Sequence, residues 1–212
     1  LIFSLSMEPM SILWLIAQFL PILILEEKFL KTGLPRDLTL YQAAGITDYK
    51  TAGTLRLTHE GLLQRYVPGH FANNQAMIRL VNENKIECYN LPQGVICHLY
   101  RAVASGKVGE ITKVGLNTYI DPRQLGAKMN AVTTENMVEL IDVLGEEHLL
   151  YKAPKFNIGI VRGTTADEQD IFRVHRYHLL VGMLASTLRR HIDHGAFQQL
   201  EQSLLLSLIH IS

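Results

Sequence analysis

Residues 90–94, Asn-Leu-Pro-Gln-Gly, combine a strand end, a tight turn and a helix start with polar groups. A short β-prone run at 86–89 precedes them, and an apolar-periodic helix that Gly106 closes follows them. In an open parallel sheet such a turn lies at the carboxyl end of a strand, where ligands bind, and the first N–H groups of the helix favour an oxyanion. The position therefore suits a polar side chain that binds a carboxylate, and here that side chain is Gln93.

Three other stretches place polar residues and a glycine beside a predicted strand: His-Glu-Gly at 59–61, Gly-His-Phe at 69–71, and Arg-Gly-Thr-Thr-Ala-Asp at 162–167. The glycines would let a ligand approach the backbone closely. Each stretch also has a structural interpretation, with Glu60 as a solvated charge at a helix start and His70 as a loop histidine. The residues alone leave both interpretations open.

Several common catalytic motifs are absent from the sequence. The Gly-Lys pair at 106–107 lacks the upstream glycine of a phosphate loop, and neither Gly-x-Ser-x-Gly nor Gly-x-Gly-x-x-Gly occurs. Two histidine pairs near the C-terminus have no acidic or cysteine partners with ligand spacing. We therefore expect no metal site.

The charges and cysteines narrow the class of partner and the compartment. Lys and Arg total 20, as do Asp and Glu, so nothing favours nucleic acid or an anionic membrane, and a small molecule is the expected partner. Cys88 and Cys97 fit neither a zinc-ligand pattern nor a disulfide framework. Both side chains are predicted to be buried, and the protein is expected in a reducing compartment, the cytoplasm.

The two ends of the chain differ from the middle. Residues 10–25 are apolar but shorter than the ~20 residues that span a bilayer, so we expect no membrane role. We assign residues 1–25 as an atypical apolar N-terminus, which an altered reading frame would explain, and residues 171–212 as a divergent tail. The last seven residues resemble the translation of a sequencing-library adaptor. A non-enzymatic, membrane-associated protein anchored by residues 10–25 remains an alternative.

Between these ends, helical and strand patterns alternate, which predicts an α/β fold: a mostly parallel sheet with helices on both faces and an added β-hairpin. Helices are predicted before Gly33, at 59–66 and, capped by Asn73, around 76–81. Strands are predicted at 38–44, 86–89, 111–116 and 157–161, with the hairpin formed by 137–144 and 148–152.

The ordered set of motifs at 26–170 resembles a known family. TGLPRDLTL, HEGLLQR, GHF, NENKIECYNLPQGVICHLYRA, ITKVGLNTYIDPR and RGTTADE occur in this order at natural spacings. They are similar to the N-terminal half of family I coenzyme A transferases, in particular the fused single-chain type that acts on short-chain acyl groups and 3-oxoacids. The fold of that family is a parallel α/β sheet covered by helices on both faces.

The resemblance implies that coenzyme A moves between an acyl-CoA and a free carboxylate through an enzyme glutamyl-CoA thioester. The nucleophilic glutamate belongs to the C-terminal half, and no glutamate of this chain matches it. Gln93 matches the glutamine of the family's Pro-Gln-Gly motif and is expected to orient the carboxylate. Pro92 and Gly94 complete the motif, and His70 and Glu60 are further candidates for lining the pocket.

The resemblance further implies substrates rather than a bound cofactor: a coenzyme A thioester and a short-chain carboxylate. The expected partners are the C-terminal half of the same enzyme and, when complete, further copies in a homo-oligomer. The chain alone is expected to be inactive. A sugar-phosphate isomerase or a ligand-sensing domain of the same fold type is the alternative, although it would need a cluster of Lys and Asp beside a phosphate loop.

Overall fold

The computed structural model describes residues 12–44, 53–71 and 74–158, and the backbone of two short strands at 165–166 and 172–173. The chain divides into two compact units, one of Leu1–Gln18 with Lys155–Ser212 and one of Phe19–Pro154. The elements in chain order are α1 (Ile12–Thr32), β1 (Leu38–Gln42), a 3₁₀ helix (Thr54–Leu57), β2 (Leu63–Pro68), α2 (Gln75–Asn82), β3 (Glu87–Cys88), α3 (Gln93–Ala104), β4 (Gly109–Thr112), β5 (Val138–Val143), β6 (Glu146–Lys152), β7 (Thr165–Ala166) and β8 (Phe172–Arg173).

The second unit is built on a parallel three-stranded sheet of order β1-β2-β3. Tyr41 of β1 lies opposite Val67 of β2, and Tyr66 of β2 lies opposite Cys88 of β3. Because all three strands run in one direction, their carboxyl ends meet at a single edge of the sheet. We call this edge, where residues 42–44, 68–71 and 89–94 lie, the carboxyl edge.

Each face of the parallel sheet carries its own core. On one face, Met77 and Leu80 of α2 pack with Tyr66, Cys88 and the partly buried Phe29 of α1. The core on the opposite face contains Val67 and Tyr89 from the parallel sheet and its edge, and Ile96 and Leu99 from α3. These buried side chains pack with Tyr151 of β6, a strand of the second sheet described below. The predicted α/β fold with helices on both faces is confirmed.

A second sheet, antiparallel with order β4-β6-β5, covers the face that α3 also covers. The hairpin of β5 and β6 was predicted, and Leu144 and Gly145 form its turn with positive φ angles of 57° and 81°. The hairpin is not simply added to the parallel sheet, however. Strand β4 pairs with β6 instead of joining the parallel sheet, so the hairpin is part of a separate three-stranded sheet.

The predicted helix at 59–66 is wrong, since a turn at 59–62 leads directly into strand β2. A register shift in the β1–β2 ladder explains the misleading pattern: Leu38 lies opposite Leu63, but Thr39 lies opposite Arg65. The shift puts Leu63 and Tyr66 into the same core, three positions apart, which is the spacing of a helix.

The helix ends follow local signals. Gly33, at φ 70°, donates its N–H to Phe29 O at 2.7 Å and ends α1 as predicted. The cap of α2 is Asn74, whose side chain accepts from the N–H of Met77 at 2.9 Å; the predicted cap, Asn73, is outside the described residues. The strand predicted at 157–161 falls mostly outside them too. Within the described residues, no helix is both long and apolar enough to cross a membrane.

Candidate functional site

The carboxyl edge holds the ends of the three parallel strands together by backbone hydrogen bonds. The N–H of Gly69 donates to Gln42 O at 2.9 Å, and the N–H of Leu91 donates to Pro68 O at 3.2 Å. These bonds extend the ladders beyond the last paired residues. The segments at 69–71 and 90–94, which were singled out in the sequence, therefore lie side by side.

Gly69 lies in direct contact with the start of α3. A β-carbon on Gly69 would come 3.0 Å from both Cα and Cβ of Gln93 and would overlap the carbonyl oxygen of Ala43. Such a contact with backbone cannot be relieved by rotating a side chain. Glycine is therefore required here by space, and it sets how closely β2 and α3 approach.

The first turn of α3 is exposed at this edge. Pro92 is the N-cap, and its carbonyl accepts from the N–H of Ile96 at 3.1 Å. Gln93 and Gly94 are exposed, and a β-carbon on Gly94 would meet nothing within 4 Å. The first N–H groups of a helix have no partner within the helix and carry partial positive charge, so this turn can receive an anionic oxygen.

His70 is exposed and follows Gly69 directly, so it belongs to the same edge as Gln93. The next residue, Phe71, returns to the core, where its ring packs edge-on against Tyr66 with centroids 6.0 Å apart. The chain thus turns at His70, which lies between Gly69 at the carboxyl edge and Phe71 in the core.

Glu60 is not brought to the carboxyl edge. It lies in the turn before β2, and the six residues of that strand span roughly 20 Å to the other end. Glu60 instead pairs with Lys85 Nζ at 3.4 Å, in an ion pair whose side chains are 63% and 46% exposed. Such an exposed pair contributes little to stability.

Asn90 is a residue of this edge whose role sequence reasoning missed. Its Nδ2 donates to Pro68 O at 3.1 Å and to Gly69 O at 3.2 Å, and its Oδ1 accepts from the hydroxyl of Tyr119 at 2.5 Å. In the sequence it appears only as a turn residue before a proline. A polar amide between the buried residues Tyr89 and Leu91 is the one signal that could have indicated a structural role.

The loop that carries Tyr119 is fixed by the buried carboxylate of Asp121. Asp121 accepts the N–H groups of Asn117 and Arg123 at 2.9 and 3.0 Å, and the Arg123 guanidinium at 2.8 and 3.0 Å. The hydrogen bonds from Arg123 are the main reason that the pKa of Asp121 lies well below its usual range. The same loop reaches the edge through Ala127, whose carbonyl accepts the N–H of Asn90 at 3.0 Å.

The described residues also form an open groove of about 780 Å³ between the segment 122–131 and β5, away from the exposed start of α3. Its lysine, Lys128, donates to Thr134 O and to Asn136 Oδ1, both at 2.8 Å. Lys113, which directly follows the edge strand β4 of the antiparallel sheet, pairs with Glu146 at 2.6 Å. These lysines are engaged in separate structural contacts, so they do not form the phosphate-binding cluster that a sugar-phosphate isomerase would need.

No group of three or more His, Cys, Asp or Glu in the part of the chain that the structure describes is arranged to hold a metal ion. The two histidine pairs of the C-terminal tail lie outside that part. The functional geometry of the described chain is therefore that of the carboxyl edge: an exposed helix start with an amide side chain, a close-packed glycine and a histidine.

Comparison with known proteins shows the family of the chain. The family model "Coenzyme A transferase" matches residues 20–174, almost three quarters of the chain. The chain belongs to the coenzyme A transferase family. The resemblance found in the sequence motifs is thereby confirmed.

Two curated coenzyme A transferases illustrate the relationship. The chain is 47% identical over 142 residues to the caffeate CoA-transferase of Acetobacterium woodii, and 37% identical over 145 residues to the acetate CoA-transferase YdiF of Escherichia coli K12. These matches cover 67% and 68% of the chain but 27% of each relative. The chain thus spans about a quarter of the length of these relatives.

Solved structures show the same fold. The acyl-CoA transferase YdiF of E. coli O157:H7, in a thioester complex with CoA, superimposes with a TM-score of 0.74 at 33% identity, over 79% of this chain and 33% of that one. Glutaconate coenzyme A-transferase of Acidaminococcus fermentans gives a TM-score of 0.56 at 15% identity, over 76% of this chain and 53% of that one. The second likeness shows the fold alone.

Proposed function

We propose that this chain supplies one wall of the active site of an enzyme that moves coenzyme A between a short-chain acyl-CoA and a free carboxylate. The observation that carries the proposal is the contact between Gly69 and Gln93, which presents the Gln93 amide at an exposed helix start. The chain's membership of the coenzyme A transferase family supplies the reaction class.

The nucleophile of the proposed reaction is a glutamate outside this chain, in the C-terminal half of the complete enzyme. Its carboxylate attacks the acyl-CoA thioester and expels the CoA thiolate, which leaves an acyl-glutamyl anhydride. The thiolate then attacks the glutamyl carbonyl, releases the first carboxylate and forms the glutamyl-CoA thioester. A second carboxylate repeats these steps in reverse and leaves as the new acyl-CoA, so no further cofactor is needed.

Gln93 orients the carboxylate group of the acyl donor or acceptor in this scheme. A neutral amide donor stabilises an oxyanion without introducing a titrating group. The start of α3 adds a favourable partial charge, Pro92 fixes the first turn, and Gly94 leaves space for the substrate beside it. His70 lines the same edge. We propose no substrate contact for Glu60, because it lies at the other end of β2.

The proposal extends to the setting of the complete enzyme. It acts in short-chain fatty acid and ketone-body metabolism, in the cytoplasm and as a homo-oligomer, and this chain alone is inactive. The free cysteines Cys88 and Cys97 fit a reducing compartment.

Reconstitution tests the proposal. The reconstituted enzyme is a full-length coenzyme A transferase in which this chain replaces the matching segment of the caffeate relative. It should transfer CoA from an acyl-CoA to acetate or propionate, and borohydride should inactivate it only after acyl-CoA is added, because only the thioester is reduced. The 212-residue chain alone should give no transfer.

Two outcomes would contradict the proposal. Transfer by the chain alone would place the nucleophile within it. A reconstituted enzyme that is active yet resists borohydride in the presence of acyl-CoA would exclude the glutamyl-CoA thioester. Borohydride treatment without acyl-CoA is the control for non-specific damage.

A further inference from the structure

Both amide hydrogens and the amide oxygen of the Asn90 side chain make hydrogen bonds at the carboxyl edge. We propose that Asn90 is a positioning residue that holds Gly69 against Gln93 and thereby fixes the amide that orients the carboxylate. This inference rests on the proposed function of Gln93, and it assigns a role to a residue that does not itself touch substrate.

The first step is the clamp on β2. The two hydrogens of Asn90 Nδ2 go to two successive carbonyls, those of Pro68 at 3.1 Å and Gly69 at 3.2 Å. Two bonds to adjacent carbonyls define both the position and the tilt of the peptide between them. The N–H of Gly69 donates to Gln42 O on the other side, so Gly69 is tied to both neighbouring strands.

The second step links Gly69 to Gln93. The position of a β-carbon on Gly69 is only 3.0 Å from Cα and Cβ of Gln93, so the two backbones are in contact and a shift of one displaces the other. Asn90 also lies three residues before Gln93 in the chain. It therefore controls both the surface that Gln93 rests on and the path by which the chain enters α3.

The third step concerns the orientation of the amide. Because the carbonyls of Pro68 and Gly69 can only accept, Nδ2 must face them, and Oδ1 then accepts from the hydroxyl of Tyr119 at 2.5 Å. Burial raises the pKa of Tyr119, which keeps the phenol protonated and able to donate. The backbone N–H of Asn90 donates to Ala127 O. The loop that carries Tyr119, Asp121 and Ala127 therefore bonds to Asn90 twice, once at its side chain and once at its backbone.

Asn90→Asp separates positioning from packing. The carboxylate has the same shape and still accepts from Tyr119, but it cannot donate and it repels the carbonyls of Pro68 and Gly69. A protonated carboxyl recovers one donor as the pH falls. Asn136→Asp is the matched control, because Asn136 Oδ1 acts as an acceptor for Lys128 and an aspartate preserves that bond.

The test measures kcat of the reconstituted enzyme for a carboxylate acceptor. At about pH 8, Asn90→Asp should lower kcat by ~10-fold or more, since a misplaced catalytic group costs up to about 10²-fold. Its activity relative to the parent should rise towards about pH 5.5, where the carboxyl begins to protonate. Added to Gln93→Ala, it should cause no further loss, and Asn136→Asp should match the parent throughout.

The possible failures are distinct. If Gln93→Ala lowers kcat but Asn90→Asp has the kcat of the parent, the inference about Asn90 is overturned and the proposed function stands. The same holds if the losses of kcat in the two variants multiply in the double variant and the loss in Asn90→Asp does not change with pH. If Gln93→Ala keeps full activity, the proposed role of Gln93 fails and this inference fails with it. Tyr119→Phe provides a second variant without a new charge, with a smaller loss that should also vanish in the Gln93→Ala background.

Discussion

Gly69 and Gln93 are in contact at the carboxyl edge, with no room for a β-carbon between them. Gly69→Ala should therefore push β2 and α3 apart and lower the free energy of unfolding of the chain by about 1–3 kcal/mol, the usual cost of overpacking. In the reconstituted enzyme it should also raise KM for the carboxylate or lower kcat, because Gln93 moves.

Gly109→Ala is the matched control for this substitution. Its β-carbon would overlap the carbonyl oxygen of Tyr151, so the clash is of the same kind but lies in the antiparallel sheet. Both variants should melt at lower temperature, whereas only Gly69→Ala should change the kinetic constants. Equal kinetic losses in the two variants would show that Gly69 acts through stability alone.

Asp121 should make the stability of the chain depend on acid pH. The hydrogen bonds from Arg123 lower its pKa in the folded state below the unfolded value of about 3.9, so its stabilising effect is complete above that pH and is lost as the pH falls towards the folded-state pKa. Asp121→Asn should lower the melting temperature by several degrees near neutrality.

The measurement is the melting temperature of both proteins between about pH 7 and pH 2.5, a range that brackets the unfolded pKa. The gap between parent and Asp121→Asn should shrink below about pH 4, and added salt should change it little because Asp121 is buried. A gap that is constant with pH would mean that the charge of Asp121 does not stabilise the fold.

The two cysteines should differ in reactivity. Burial raises the pKa of Cys88 to about 12, and its side chain is wholly buried, whereas Cys97 is only partly buried. Iodoacetamide should modify Cys97 faster than Cys88 by about tenfold or more in the native chain, because the thiolate is the reactive form and must be accessible. Mass spectrometry of the peptides gives the two rates. In denaturant the rates should converge; equal rates in the native chain would contradict the burial of Cys88.

Much of the fold follows from local signals in the sequence. Helix α3 and its end near Gly106, the end of α1 at Gly33 and the β5–β6 hairpin each depend on residues within a few positions of one another. Strand β2 could not be predicted in the same way, because the register shift beside Leu63 gives its buried residues a helical spacing. The pairing of β4 with β6 is decided by contacts some forty residues apart in the chain.

The candidate site shows the same limit. Gln93 and Gly94 stood out because their types, order and position at a helix start are visible in the sequence. Asn90 did not, since its partners Pro68, Gly69 and Tyr119 lie 22, 21 and 29 positions away. Glu60 was grouped with the pocket because its stretch belongs to the family motifs, and only the direction of β2, a strand that was not predicted, shows that it lies at the opposite end.

Gln93 is the residue on which the account depends most, and Gln75 is its natural control. Both are exposed glutamines at the first position of an α-helix, in α3 and α2 respectively. In the reconstituted enzyme, Gln93→Ala should lower kcat for CoA transfer by ~10²-fold or more, the typical loss of an oxyanion donor, and Gln75→Ala should leave it unchanged. An active enzyme whose kcat is the same with Gln93→Ala as with Gln75→Ala would contradict the assignment of the carboxylate site to this edge.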